Sequence, residues 1–441
     1  MADDSVDVLM SNLVDCLIAG QTTDVVELLG SPLSERRGIG EVIVQAWRDT
    51  VTSHGTITGI GQPVVESARA DGSRVAIVIV HCADQPFQLR ATINAARQVT
   101  TFHLQPVIEP KVSPSPDAWT APDYSSPSLF TESEVTIGPA DLAVPAMLCL
   151  PKSDTPVAGA VLIPGSGPTD RDSTIGPNKP FKDLAWGLAT LGIATIRFDK
   201  VTYSHPTIVA ARPKFTAADE YLTHSTAAIA FLAGHPAIDS RNVFLLGHSQ
   251  GATIAPRVAK HWSEERAEPH RDLAGIVLLA AAAQPIHHAA IRQLRYLAGV
   301  GNERNPAIEE ALTKLARQAS VVDDENLSES TPNGELPFSI PAAYWLDLLA
   351  HDPLSIATHL ALPMLFLQGG RDYQVTTQED LRTWQTTLAD SPKAQFLVYP
   401  TADHYFFTGT QPSTPASYQE PQHVDSEVIN DVARWIAETA D

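Results

Sequence analysis

Residues 243–252 read VFLLGHSQGA, an apolar run that enters a G-x-S-x-G turn and continues into a helical pattern. Such a strand-to-helix turn is so sharp that its neighbouring positions need small residues, here Gly247 and Gly251. The turn raises the hydroxyl of Ser249 above the end of the strand and places it at a helix N-terminus, where the dipole favours developing negative charge. The flanking strand and helix therefore make Ser249 the candidate nucleophile.

From about residue 131 onward, strand and helix patterns alternate on both sides of this turn. The later strand patterns are continuously apolar, which is typical of a parallel sheet covered on both faces. We therefore predict an α/β fold with a doubly wound, mostly parallel sheet in residues 131–441. The predicted strands are Glu134–Ile137, Ala146–Leu150, Gly159–Ile163, Ala194–Phe198, Val243–Leu246, Gly275–Ala280, Met364–Gln368 and Gln395–Tyr399. The predicted helices include Phe181–Leu191, Ala217–Ala233 and Gln250–His261.

One interval breaks this alternation. Residues 284 to about 359 contain no clear strand pattern, only helical ones such as Ile286–Leu297 and Pro306–Gln318. The interval is far longer than a usual connection between core elements. We predict that it forms a helical cap over the candidate nucleophile and supplies substrate contacts.

Two further residues complete a candidate triad. Asp372 follows the predicted strand Met364–Gln368, at the strand end where catalytic groups gather in such sheets. His404 follows the last predicted strand, and the chain order Ser, Asp, His is the order of this fold. Asp403 is a rival acid, but neighbouring side chains rarely point at each other correctly. We therefore predict Asp372 as the acid and His404 as the base.

Backbone N–H groups beside the nucleophile form the candidate oxyanion hole. One donor should be Gln250, directly after Ser249, and the other should come from the loop that reads Pro164-Gly-Ser-Gly-Pro168. Ser166 is the first candidate on this loop and Gly167 the second. We interpret the charged residues 169–172 on the same loop, and the pair Asp199-Lys200, as structural.

The first 130 residues follow a different plan. Helical patterns at Val6–Ala19 and Ile39–Ser53 precede several strand patterns, so we predict that residues 1–105 form a small α+β domain without catalytic groups. Residues 106–130 are rich in Pro and Ser and are predicted to be a linker. The predicted strands of this domain are Thr56–Val64, Arg74–Cys82, Phe87–Asn94 and Val99–Leu104.

Composition narrows the choice of partners. The formal charge of −21 over 441 residues repels phosphate backbones, so we expect no nucleic acid partner. Three cysteines without a CxxC pair indicate a reducing compartment. The acidic start has no signal-peptide pattern, and no apolar run is long enough to span a membrane. These features predict a cytoplasmic protein. The candidate triad predicts a small-molecule acyl substrate and no metal or cofactor. The sequence does not decide whether the protein forms a homodimer.

Five motifs in chain order carry a resemblance to a known family. They are GSGPTDRD from Gly165, IGPNKPFKDLAWGLATLGIATIRFDK from Ile175, LLGHSQGA from Leu245, QGGRDYQV from Gln368 and DHYFF from Asp403. Together they resemble a bacterial α/β-hydrolase family whose members include esterases of the dienelactone-hydrolase and prolyl-oligopeptidase-like branch. The first hundred residues resemble the DUF3887 kind of NTF2-like domain that often precedes such enzymes. Pro164 departs from the pattern, since many relatives have His there.

The resemblance implies a serine hydrolase that cleaves a carboxylic ester through an acyl-enzyme on Ser249. The same acyl-enzyme attacked by an amine or an internal hydroxyl would make the protein an acyltransferase or a cyclase. A peptidase and an inactive binding scaffold are further alternatives. The complete triad speaks against the scaffold, and no acidic motif indicates a site for a peptide amino terminus.

Overall fold

The computed structural model describes residues 4–31, 33–35, 38–65, 73–83, 86–106, 119–264, 272–300 and 306–440. The chain divides into two compact units, Met1–Val112 and Ser113–Asp441. No described helix combines the length and the apolar character that crossing a membrane requires.

The first unit packs helices on an antiparallel sheet whose central order is β1-β3-β4-β5, with β2 beside β3. Its elements are α1 (Asp4–Ala19), α2 (Thr22–Glu27), α3 (Ile39–His54), β1 (Ile57–Ile60), β2 (Val64–Val65), β3 (Arg74–Cys82), β4 (Phe87–Ile93) and β5 (Val99–Pro106). Alternate residues of β4 are buried, as expected when one face of a sheet covers the core. The prediction of one strand at Thr56–Val64 was wrong. Pro63 cannot donate a ladder hydrogen bond, so the strand is interrupted between β1 and β2.

The second unit is built on an eight-stranded sheet of order β13-β12-β11-β10-β8-β9-β7-β6. The strands from β8 to β13 pair in parallel, whereas β7 pairs antiparallel with both β9 and the edge strand β6. The strands are β6 (Phe130–Ile137), β7 (Val144–Pro151), β8 (Val157–Ile163), β9 (Ala194–Phe198), β10 (Ile238–His248), β11 (Gly275–Leu279), β12 (Met364–Gly369) and β13 (Ala394–Tyr399). The predicted fold class, a mostly parallel α/β-hydrolase sheet, is confirmed.

Helices cover both faces of this sheet. They are α4 (Pro180–Thr190), α5 (Val201–Ser204), α6 (Pro206–Ala210), α7 (Ala217–Gly234), α8 (Gln250–Glu264), α9 (Ile286–Val300), α10 (Pro306–Val322), α11 (Ala342–Leu349), α12 (Pro353–His359), α13 (Arg382–Thr387) and α14 (Ser426–Thr439). Between β11 and β12 the described residues contain the four helices α9 to α12 and no strand. Ile291 of α9 packs on Leu315 and Ala319 of α10 in a small core of its own.

The described part of the predicted linker, from residue 119 onward, packs within the second unit. Trp119 donates a hydrogen bond from Nε1 to Asp183 Oδ1 at 2.8 Å, and its ring packs edge-on against Trp186. Residues 107–118, about half of the predicted linker, lie outside the described residues.

Candidate active site

Ser249 lies in a strained turn between β10 and α8. Its φ of 54° falls in the left-handed region, which non-glycine residues rarely adopt. A Cβ on Gly247 would collide with the carbonyl of Gly251, and a Cβ on Gly251 would collide with the carbonyl of Ile163. The two glycines of the motif are therefore required by close backbone approach, and the turn holds Ser249 at the end of the sheet.

The predicted acid and base contact each other directly. His404 Nδ1 lies 2.8 Å from Asp372 Oδ2, and both side chains are buried. The other carboxylate oxygen of Asp372 accepts the N–H groups of Gln374 at 2.8 Å and Val375 at 3.0 Å. Because Asp372 occupies Nδ1, His404 keeps Nε2 as the ring nitrogen that can accept a proton.

Asp403, the rival acid, is engaged elsewhere. Its Oδ1 accepts the N–H groups of Tyr405 at 3.0 Å and Phe407 at 3.1 Å, so it stabilises the loop that carries His404. Burial raises the pKa of Asp403 to about 6, although these two backbone hydrogen bonds oppose the rise. The contacts of the two carboxylates therefore favour Asp372 as the partner of the histidine ring.

His248 takes part in the site, although sequence reasoning did not select it. Its Nε2 donates a hydrogen bond to the carbonyl oxygen of His404 at 2.8 Å, and the two rings lie 4.7 Å apart. Burial, and then the nearby His404, lower the pKa of His248 to about 3, so its ring stays neutral. His248 thus connects the turn that carries Ser249 to the loop that carries His404. Its position directly before Ser249 was the signal that could have revealed it.

The predicted oxyanion loop lies against the nucleophile. A side chain added at Gly165 would approach Ser249 Cβ to 3.2 Å, so the loop backbone is close to the turn. The carbonyl of Gly165 accepts hydrogen bonds from Lys200 Nζ and Tyr221 Oη, each at 2.8 Å. Lys200, which we interpreted as structural from the sequence, thus holds the carbonyl of this loop. Burial lowers the pKa of Lys200, and the Glu220 carboxylate opposes that effect.

The charged residues 169–172 make ion pairs and hydrogen bonds within the fold. Arg171 pairs with Glu134 at 2.9 Å, and Asp172 pairs with Arg197 at 2.8 Å. The N–H of Arg171 also donates to Asp199 at 2.8 Å. These contacts hold the loop that begins at Pro164.

A cavity of about 1030 Å³ opens beside Ser249. Ser249, Gln250, Ser166 and Gly167 all line it, whereas Asp372 and His404 are buried and are not among its lining residues. Both the core and the interval between β11 and β12 contribute apolar side chains to it, among them Phe215, Ile254, Leu294, Leu315, Ile340 and Leu348.

The charged side chains that line this cavity are mostly paired. Arg257 makes a two-pronged ion pair with Asp347 of α11, with both N–O distances below 3 Å. Glu220 pairs with Lys200 at 2.9 Å. Asp352 is exposed and caps the start of α12. The described wall of the cavity thus presents no buried unpaired carboxylate.

Three potential metal ligands lie together in the structure, although their spacing in the sequence is not that of a metal site. Nε2 of His287 and Nε2 of His288 lie 2.9 and 3.1 Å from the same Oδ1 of Asp323. The three ligand atoms lie within 4.8 Å of one another, and His288 and Asp323 are exposed. Asp323 is on the loop that ends α10, so sequence spacing alone could not place it beside two histidines of α9. The distances are those of ordinary hydrogen bonds.

The sheet order, the elbow at Ser249 and the His404–Asp372 pair together define an α/β-hydrolase. The profile of the Hydrolase_4 family, described as serine aminopeptidase, S33, matches residues 179–411, and the chain belongs to this family. Esterase EstD of Thermotoga maritima is 35% identical over 318 residues, which are 71% of this chain and 69% of EstD. The expected α/β-hydrolase membership is therefore confirmed.

Solved structures of lower similarity were also found. An esterase of Pyrococcus furiosus is 16% identical, with a TM-score of 0.45 over 73% of this chain and 94% of its own. Est1E of Butyrivibrio proteoclasticus is 14% identical, with a TM-score of 0.44 over 69% of this chain and 98% of its own. Similarity at this level carries no information about the substrate.

Proposed function

We propose that the protein hydrolyses carboxylic esters through an acyl-enzyme on Ser249. His404 takes the proton of Ser249 at Nε2 while the serine oxygen attacks the ester carbonyl. The same proton passes to the departing alcohol when the tetrahedral intermediate collapses. Water, activated by His404, then releases the carboxylic acid and restores the serine. Asp372 keeps the proton of the neutral ring on Nδ1 and stabilises the charged ring.

The negative oxygen of the intermediate needs two preorganised donors. We assign the N–H of Gln250 as the first and the N–H of Ser166 as the second, with Gly167 as the alternative second donor. Gln250 begins α8, so the positive end of that helix adds to the stabilisation.

The observation that carries the proposal is the cavity that Ser249 shares with a largely apolar wall. Apolar walls favour apolar ligands, and a few polar groups orient them. Since the buried charges of the wall are paired, a charged substrate would have to break an existing ion pair to be recognised. We therefore propose a neutral ester with a sizeable apolar acyl or alcohol part as substrate. The esterase relative EstD supports the same reaction class.

The family description names a serine aminopeptidase, which makes peptide hydrolysis the second candidate. An aminopeptidase must bind a free ammonium group, and a buried carboxylate is the usual partner for one. Glu220 is occupied by Lys200, and Asp352 is exposed. This distribution of charge favours the ester over the peptide.

A panel of p-nitrophenyl esters of increasing chain length, set beside aminoacyl p-nitroanilides, tests the proposal. We expect turnover of the esters with free carboxylic acid as product, and none with the Ser249→Ala variant. Preferential turnover of the anilides would contradict the ester assignment. If added amines or alcohols capture most of the acyl group in place of water, the acyltransferase or cyclase alternative is correct.

For the first unit we propose no catalytic role. Every group assigned to the reaction lies between Ser166 and His404, in the second unit. We also propose that the first unit is of the DUF3887 kind and that it takes part in a homodimer. Sedimentation of the whole chain and of residues 113–441 would test the homodimer, which should be lost in the shorter chain.

A further inference from the structure

The peptide that joins Gly165 to Ser166 is held at its carbonyl by two buried donors. Lys200 Nζ and Tyr221 Oη each lie 2.8 Å from the Gly165 oxygen, so both of its lone pairs are used. In a trans peptide the C=O and the N–H point in opposite directions within one plane. Fixing the Gly165 carbonyl therefore fixes the direction of the Ser166 N–H.

The contact with Lys200 is electrostatic as well as geometric. The side chain is 1% exposed, and the three N–H bonds of its ammonium group go to Gly165 O, Tyr221 Oη and Glu220 Oε1. A positive charge on a carbonyl oxygen polarises the whole amide, and hydrogen bonds in a chain strengthen one another. Lys200 thus makes the N–H at the other end of this peptide a better donor.

The same network reaches helix α11, between β11 and β12. Tyr344 of α11 donates a hydrogen bond to Glu220 Oε2 at 2.6 Å, while Lys200 holds the other oxygen of Glu220. Asp347, one turn further along α11, accepts the N–H of Ala218 at 3.0 Å and pairs with Arg257. Helix α11 is therefore fastened beside the residues that hold the Gly165 carbonyl.

We propose that Lys200 is a positioning residue that orients and polarises the Ser166 N–H, and that Tyr344 links this arrangement to the seating of helix α11 through Glu220. The proposal deepens the proposed ester hydrolysis and rests on it. It makes the stabilisation of the oxyanion depend on a helix that also borders the substrate cavity.

Three variants test the network at different points. Tyr221→Phe and Tyr344→Phe each remove one hydroxyl, and the double variant Lys200→Met/Glu220→Gln removes the ion pair without leaving a lone buried charge. Tyr399→Phe is the matched control, because Tyr399 also donates to a carboxylate, Asp431 at 2.8 Å, away from the cavity. The readouts are kcat, KM and the inhibition constant of an alkyl trifluoromethyl ketone, whose adduct with Ser249 carries an oxyanion.

If Lys200 is a positioning residue, kcat falls in these variants and KM stays unchanged. We expect kcat of the double variant to fall about 100-fold and that of each single variant to fall about 10-fold, by analogy with the loss of an oxyanion donor. The ketone should bind more weakly by the same factor, because it resembles the transition state. Tyr399→Phe should change neither value.

Two outcomes would overturn the proposal. One is unchanged kcat and ketone affinity in folded variants. The other is an equal rise in KM and in the inhibition constant, which indicates a uniform loss of binding. If the double variant does not fold, wild-type values in both single variants have the same consequence. Either result, with Ser249→Ala inactive, would leave ester hydrolysis standing, whereas an active Ser249→Ala would refute ester hydrolysis itself.

Discussion

The Asp372 carboxylate is surrounded by donors on both oxygens. Oδ1 accepts the N–H groups of Gln374 and Val375, and Oδ2 accepts from His404 and from Gln368 Nε2 at 3.2 Å. Four donors keep the carboxylate in one orientation. We infer that this fixed orientation holds the ring of His404 in the tautomer that proton transfer from Ser249 requires.

The two aspartates of the site should respond differently to the same substitution. Asp372→Asn should lower kcat by about 10⁴-fold, because an amide at this place stabilises the wrong tautomer of His404. Asp403→Asn should affect kcat far less, since its carboxylate bonds to the backbone N–H groups of Tyr405 and Phe407. Steady-state kinetics of both folded variants check this, and a larger loss for Asp403→Asn would identify Asp403 as the acid.

The places of the three residues directly after predicted strands, together with their order along the chain, suffice to select Ser249, Asp372 and His404 as candidates from the sequence. They do not reveal His248 or Lys200. His248 acts on the carbonyl of His404, and Lys200 on the carbonyl of Gly165, so each contact exists only after the sheet has assembled. A lysine after a strand has the same local pattern whether it pairs with a surface acid or holds an active-site peptide.

Among the elements of the fold, the helices between β11 and β12 supply much of the wall of the cavity beside Ser249. Helices α9, α10 and α11 each contribute apolar side chains to the cavity wall. The helical patterns in residues 284 to about 359, without strand patterns between them, predicted the helices of this interval. The pocket itself was not predictable, because its wall combines residues from segments as distant as Ser166 and Val375.

A bulkier side chain in this wall should change the preference for substrate length. Leu294→Trp on α9 fills part of the cavity, so kcat/KM should fall about tenfold for long-chain esters and much less for acetate esters, a difference of the size that apolar pockets produce. Val300→Trp, at an exposed position of the same helix outside the wall, is the control. An unchanged chain-length profile in Leu294→Trp would show that this wall does not contact substrate.

The cluster of His287, His288 and Asp323 allows a direct test for metal. We expect EDTA to leave kcat unchanged, because the reaction assigned to Ser249 needs no metal and the three side chains already satisfy one another by hydrogen bonds. Activity before and after chelation, with divalent ions added back, measures this. A loss that zinc restores would make the cluster a functional metal site.

At the scale of the whole molecule, the two units have separate hydrophobic cores. Residues of α1, α3 and β3 to β5 form one core, and the large sheet with its helices forms the others. In residues 1–105 helical patterns precede strand patterns, whereas in residues 131–441 the two kinds alternate. This difference predicted two kinds of architecture. The order of the strands in the large sheet follows from the fold class and could not be read from any local pattern.

Separate cores imply that the second unit can act alone. A chain of residues 113–441 should keep kcat/KM for a p-nitrophenyl ester within about twofold of the whole chain, because compact units with their own cores can fold independently. Circular dichroism establishes that the shortened chain is folded before its kinetics are compared. A folded but inactive chain would mean that the first unit supplies part of the site.

We expect a single serine of the whole chain to carry the acyl group. Treatment with a fluorophosphonate, followed by peptide mass spectrometry, identifies the labelled residue directly, because such probes react with activated serines. A single adduct should form on Ser249 in wild type, ester hydrolysis should be lost in proportion to labelling, and no adduct should form in Ser249→Ala. An adduct on another residue, or full activity after complete labelling of Ser249, would refute Ser249 as the nucleophile.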